Sequence, residues 1–216
     1  MKYMDSIYKN PAIVVTQKLP FPNQNADISY PVVTGLQNPA VQQKINRDIL
    51  LLVYRLIAMQ AAQLSSQGYE NPEVSITGWY EVKTNERGVL SLTLGNYTIA
   101  NPAAHGLTFI KALNFDTGTG KNYRLSEQFK PGSDYVKRLS DIIKLQIKKR
   151  DILLLNAFDS IKPEQDYYIS DKVLVVYFQL YEITAYAFGF PMFPISVYEI
   201  QDIIQENSPL DRMVME

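Results

Sequence analysis

A single histidine stands in the 216 residues. It is His105, in Asn101-Pro-Ala-Ala-His105-Gly106, and it is followed by Asp116-Thr117-Gly118-Thr119-Gly120-Lys121. Each group suggests a chemistry. An Asp-Thr-Gly after an apolar strand is the local pattern of aspartic proteases, where two such carboxylates share a proton and activate water. No second Asp-Thr-Gly or Asp-Ser-Gly occurs, so one chain lacks the dyad. An aspartate followed by glycines is also ordinary turn chemistry, and a turn is the expectation. Gly118 to Lys121 suggests a phosphate loop, but Phe115 stands where its first glycine belongs and Asn122 where its serine or threonine belongs.

His105 alone cannot build a zinc site: no second histidine and no cysteine exists to join it. No metal or other cofactor is expected. A serine hydrolase would show a Gly-x-Ser-x-Gly elbow, and none is present. Between small neighbours, His105 is expected to be a ring held by hydrogen bonds. The alternative is a hydrolase that uses His105 with a carboxylate such as Glu182 or Asp116, which requires them to converge in one pocket.

A second candidate lies further on. Ten of the 25 aromatic residues fall between Tyr167 and Tyr198. Phe178, Phe188 and Phe193 read as core. Tyr181, Glu182 and Tyr186 are less easily absorbed, because a glutamate among aromatics is costly unless paired. Glu182 is expected to pair with His105 or with a tyrosine hydroxyl. His105, Tyr181, Glu182 and Tyr186 are therefore the candidate ligand-binding residues.

The elements that must position them read as α+β. Ala12 to Pro20 and Asp27 to Val33 look like strands, with Pro31 suited to an edge or a bulge. Asn38 and Pro39 then open a helix whose apolar face recurs at Val41, Ile45, Ile49, Leu52, Leu56 and Met59, with Gly68 as its stop. Two strands follow around Thr84 to Gly88, the second alternating Leu90, Leu92 and Leu94 with Ser91 and Thr93, a hairpin with one polar face. Leu107 to Phe115 is a further strand. A helix begins at Ser133 with Val136, Leu139, Ile143 and Ile147 inward, and strands flank Ser170-Asp171-Lys172. Val173 to Phe178 is apolar throughout, as in a strand covered on both faces. Ser196 and Glu199 form a capping-box pattern, with Ile195 and Ile200 as its staple, and announce a last helix. Two packed lobes are expected, residues 1–102 and 103–216, each a mostly antiparallel sheet with one long amphipathic helix.

The totals exclude some functions. A formal net charge of −1 argues against a nucleic-acid partner, since phosphate neutralisation needs a basic surface. Lys144, Lys148, Lys149 and Arg150 read as a solvated helix end. The run from Ile49 to Met59 carries Arg55 and is short for a bilayer, so no membrane insertion is expected. Met1 to Pro11 lacks the apolar core of a signal peptide. The chain is expected in the cytoplasm if it is complete.

The order Ala104-His105-Gly106, Asn114-Phe115-Asp116-x-Gly118 with Lys121, Tyr168-Ile169, Leu174 to Phe178, Tyr181-Glu182-Ile183, Tyr186-Ala187-x-Gly189 and Phe193 to Ile195 resembles a known family. It is the domain of unknown function that forms the extracytoplasmic, lysozyme-binding part of the anti-sigma-V factor. Residues from about Ala12 to Ala100 resemble the companion domain found beside it and beside a peptidoglycan deacetylase. The resemblance implies a non-catalytic α+β module and, for a trimmed chain, an extracytoplasmic location. A binding or sensor module for a protein or cell-wall glycan is thus expected first, a hydrolase second, and a self-associating structural domain third.

Overall fold

The computed structural model describes residues 11–22 and 25–214. The stretch from Met1 to Asn10, read above for a signal peptide, lies outside them. The first sheet has the order β1 (Ile13–Lys18), β2 (Ala26–Thr34), β3 (Glu73–Glu86), β4 (Val89–Asn101), β5 (Leu107–Asp116). Only β2 and β3 run parallel, and the helix α1 (Pro39–Ser66) supplies the crossover such a pair requires. Pairing of β2 with β3 stops at Ile28. Pro31 therefore has only β1 beside it, the edge-like setting in which proline leaves no ladder bond unmade.

Helix α1 starts as its sequence dictates. The Asn38 side chain accepts from the N–H groups of Ala40 and Val41, and Pro39 takes the first helical position. Val41, Ile45, Ile49, Leu52, Val53 and Leu56 are buried against Leu90, Leu92, Leu94, Leu113 and Phe115 of the sheet. The apolar run judged short for a bilayer belongs to this 28-residue helix, which by length and composition alone could cross one. Here one of its faces is committed to the sheet.

The second lobe packs α2 (Tyr135–Lys149) on a three-stranded antiparallel sheet of β6 (Tyr167–Ser170), β7 (Val173–Tyr177) and β8 (Met192–Ser196). Leu174 and Val176 of β7 face the lobe's own core, while Val175 and Tyr177 face the first lobe at Ile110 and Ala112. The apolar run is thus covered on both sides. The architecture is α+β in two packed lobes.

Three details depart from expectation. The capping pattern at Ser196 yields one turn only, α3 (Val197–Ile200), followed by a 3-10 turn; the Ser196 hydroxyl accepts from Tyr198 N–H. The helix at the C-terminal end is instead α4 (Pro209–Val214). Phe188 is 44% exposed, unlike the buried Phe178 and Phe193. The boundary expected at residue 102 falls between β4 and β5, which pair from Thr98–Leu107 to Val89–Asp116, so the first sheet runs across it.

The polar face of the hairpin is the largest surprise. It is sealed between the lobes. Ser91 and Asn114 are almost wholly buried, and a bulge between Val82 and Thr84 brings Thr84 opposite Ser91. The Ser91 hydroxyl donates to Asn114 Oδ1 at 2.7 Å and accepts from Ile169 N–H at 3.0 Å. Asn114 donates to the Tyr167 carbonyl, and Thr84 donates to the Ile169 carbonyl while accepting from Asp171 N–H. The alternation of Leu and Ser/Thr marks two buried faces, one dry and one hydrogen-bonded.

Candidate functional site

Beyond Leu56 the inward stripe of α1 continues with the same spacing but changes chemistry. Gln60 and Gln63 follow Leu56 at helical intervals, and Gln67, exposed at the helix C-cap, stands one turn further on. Gln60 is 3% exposed and donates its amide N–H₂ to the carbonyls of Asn96 and Leu107, at 2.7 and 2.9 Å. Gln63 and Gln67 line an open cleft of about 490 Å³. Gly68, in the left-handed region at φ 86°, ends the helix where the sequence placed its stop. Its N–H and that of Tyr69 bond back to Ser65 and Leu64. This swings Tyr69 across the cleft mouth, its hydroxyl 3.4 Å from the Pro102 carbonyl.

The opposite wall is the segment around His105. Gly106 is required there: a Cβ would fall 2.4 Å from the Thr98 carbonyl oxygen and 2.6 Å from the Tyr97 ring. Gly106 N–H donates to the Tyr97 hydroxyl at 3.2 Å, and the Tyr186 hydroxyl donates to the Gly106 carbonyl at 3.3 Å. The two tyrosines hold the glycine, and the glycine presents His105 at the lip. His105 is exposed. Its ring lies 4.9 Å from Tyr186, and Tyr186 lies 5.6 Å from Tyr181, each pair tilted by 32°. The His105 Nδ1 sits 3.1 Å from the Gly106 carbonyl, a contact that needs the proton on Nδ1. Tyr181 is half exposed with φ 64°, a conformation that costs a bulky residue energy and gathers at functional sites.

Three of the four candidate residues therefore meet: His105, Tyr181 and Tyr186. Glu182 does not. Its carboxylate accepts from Lys162 Nζ at 2.7 Å and from the Gln179 N–H at 2.8 Å, closing its own turn instead of reaching His105 or a tyrosine. Burial pushes this carboxyl up, but the Lys162 and Gln179 bonds outweigh it and hold it below the usual glutamate value. Asp116 is also committed. One oxygen accepts from Gly118 and Thr119 N–H, the other pairs with Arg212 of α4. The Asp-Thr-Gly is the turn expected of it, and both carboxylates named for a hydrolase are bound elsewhere.

Among the described residues no aspartate, glutamate, lysine or arginine lines the cleft, and no group of three or more His, Asp or Glu is placed to hold a metal ion. The lining combines the glutamine amides, the Thr98 hydroxyl and the Tyr69, His105 and Tyr181 rings with aliphatic Leu64, Leu107 and three alanines. Such a wall offers donors and acceptors in pairs from each glutamine, and flat apolar faces from the aromatics. Gln63, Gln67 and Tyr69 were missed from the sequence; the signal was the change from aliphatic to amide toward the end of the helix.

Residues 127–198 match the family model described as a protein of unknown function (DUF3298), and residues 22–108 match the model described as deacetylase PdaC. No curated protein matches the sequence. Among solved structures, a member of the DUF3298 family from Bacteroides fragilis superposes with a TM-score of 0.64 at 13% identity, covering 94% of this chain and 95% of its own. A DUF3298 family protein from Pseudomonas aeruginosa gives the same score and identity over 93% of this chain and 97% of its own. The chain shares the fold of these two proteins, and its residues 127–198 are similar to the DUF3298 family.

Proposed function

We propose that the chain is a binding module whose site is the cleft between the end of α1 and the His105–Tyr181–Tyr186 cluster, and that its ligand is an uncharged glycan. One observation carries this: glutamine amides follow the aliphatic stripe of α1 where the cleft opens, opposite the exposed His105 and Tyr181 rings, with no aspartate, glutamate, lysine or arginine in the lining. Glutamine amides pair with hydroxyl and acetamido groups. Tyrosine rings cover the apolar faces of a sugar at low entropic cost. Catalysis is disfavoured, because His105 has neither Glu182 nor Asp116 within its cluster.

Calorimetric titration with N-acetylglucosamine oligomers tests the proposal. Binding in the micromolar to millimolar range is expected, and Tyr181→Ala abolishes it without shifting the melting temperature. A protein partner is the competing occupant, with lysozyme the one implied by the family resemblance. Heat with lysozyme and none with oligomers would replace the glycan by a protein surface.

A further inference from the structure

The cleft does not end at Tyr69. A second cavity of about 530 Å³ adjoins it, and the two share Gln60, Leu64, Tyr69 and Thr98. Gln60 and Thr98 are each 3% exposed and form the common floor. Leu64 and Tyr69 are half-buried and form the ridge between. Beyond the ridge the lining adds larger apolar side chains, Phe21, Ile57, Val74 and Ile76, with Ala61 and Pro72, beside the polar Ser65 and Asn71. Glu70 is the charged member of the lining and is exposed.

From this juxtaposition we infer that the second cavity is a subsite for a neutral aliphatic substituent carried by the same saccharide. Its ligand class is thus an alkylated or acylated sugar that lies across Tyr69. The inference rests on the glycan reading of the first cleft. An aliphatic group gains from removal of apolar surface from water, and the lining offers that surface. A free fatty acid fits less well, because its carboxylate would approach Glu70 with like charge. Tyr69 suits the crossing point: a ring toward both cavities, with its hydroxyl tied to Pro102.

The test uses methyl, butyl and hexyl glycosides of N-acetylglucosamine below their micelle concentrations, with hexanol as the sugar-free control. For the wild-type chain, affinity is expected to rise by about fourfold per added methylene, the gain that burial of each group supplies. Ala61→Trp, at an exposed helix position lining the second cavity, should leave methyl glycoside binding unchanged and flatten the rise. Equal affinity for methyl and hexyl glycosides overturns the subsite and leaves the glycan cleft standing. A rise that survives Ala61→Trp also overturns it, by placing the alkyl chain elsewhere. Hexanol binding as tightly as hexyl glycoside, with no methyl glycoside binding, would sink the glycan reading and keep only an apolar cavity.

Discussion

Two polar regions border the same pair of strands and do opposite things. Between the lobes, Thr84, Ser91 and Asn114 are buried and bonded to one another and to the backbone of β6 and its turn. At the far end of the sheet, Gln63 and Gln67 line open space beside exposed rings. Both sets are neutral and both sit at positions that an apolar residue could fill. A polar group whose partners are all inside the molecule is architecture; leaving it unpaired costs more than its bond contributes. A polar group that faces a cavity has its bonding capacity left for a ligand.

The sharpest way to break this contrast is to attack the seam. Asn114→Ala leaves the Tyr167 carbonyl and the Ser91 hydroxyl each short of a partner, and should cost about 3 kcal/mol by denaturant titration. For a chain of this size that is roughly 6–12 °C in melting temperature. Gly106→Ala comes next, at about 2 kcal/mol, because the new methyl must displace the Thr98 carbonyl or the Tyr97 ring. It should also weaken glycan binding, since His105 moves with its glycine.

Glu182 supplies a smaller effect. Its folded value is depressed, so its stabilising contribution is fully present above the unfolded value near ~4.3 and is lost as pH falls through the folded one. Melting curves of Glu182→Gln should therefore fall less steeply with acid below that value than those of wild type. Binding at the cleft should not change, because Glu182 turns away from it. The smallest effect on stability belongs to the cleft itself. Gln63→Ala and Gln67→Ala should stay within about 0.5 kcal/mol of wild type while each lowers glycan affinity several-fold.

Much of this was legible in the sequence where local chemistry decides. Asn38-Pro39 and Gly68 bound α1, and the apolar run at Val173 marks a strand covered on both faces. The signal for α4 was present too. Ser208 caps it before Pro209, its hydroxyl accepting from Asp211 N–H, and the Asp211 carboxylate accepts from the Asn207 N–H. Other features depend on contacts between distant residues. Alternation on β4 reads as one wet face, and only the docking of β6 shows both faces buried. The cleft was half visible: His105, Tyr181 and Tyr186 converge, yet the neighbouring Glu182 does not. Nothing local shows that Lys162 claims its carboxylate first.

The most direct test follows the side-chain amides themselves. In ¹⁵N-labelled protein, titration with an N-acetylglucosamine oligomer should shift the amide N–H₂ signals of Gln63 and Gln67, together with the His105 ring signals, while that of Asn114 stays fixed. An unchanged pair of glutamine signals, with shifts at Asn114 or on a distant surface, would contradict the division between a bonded seam and an open site.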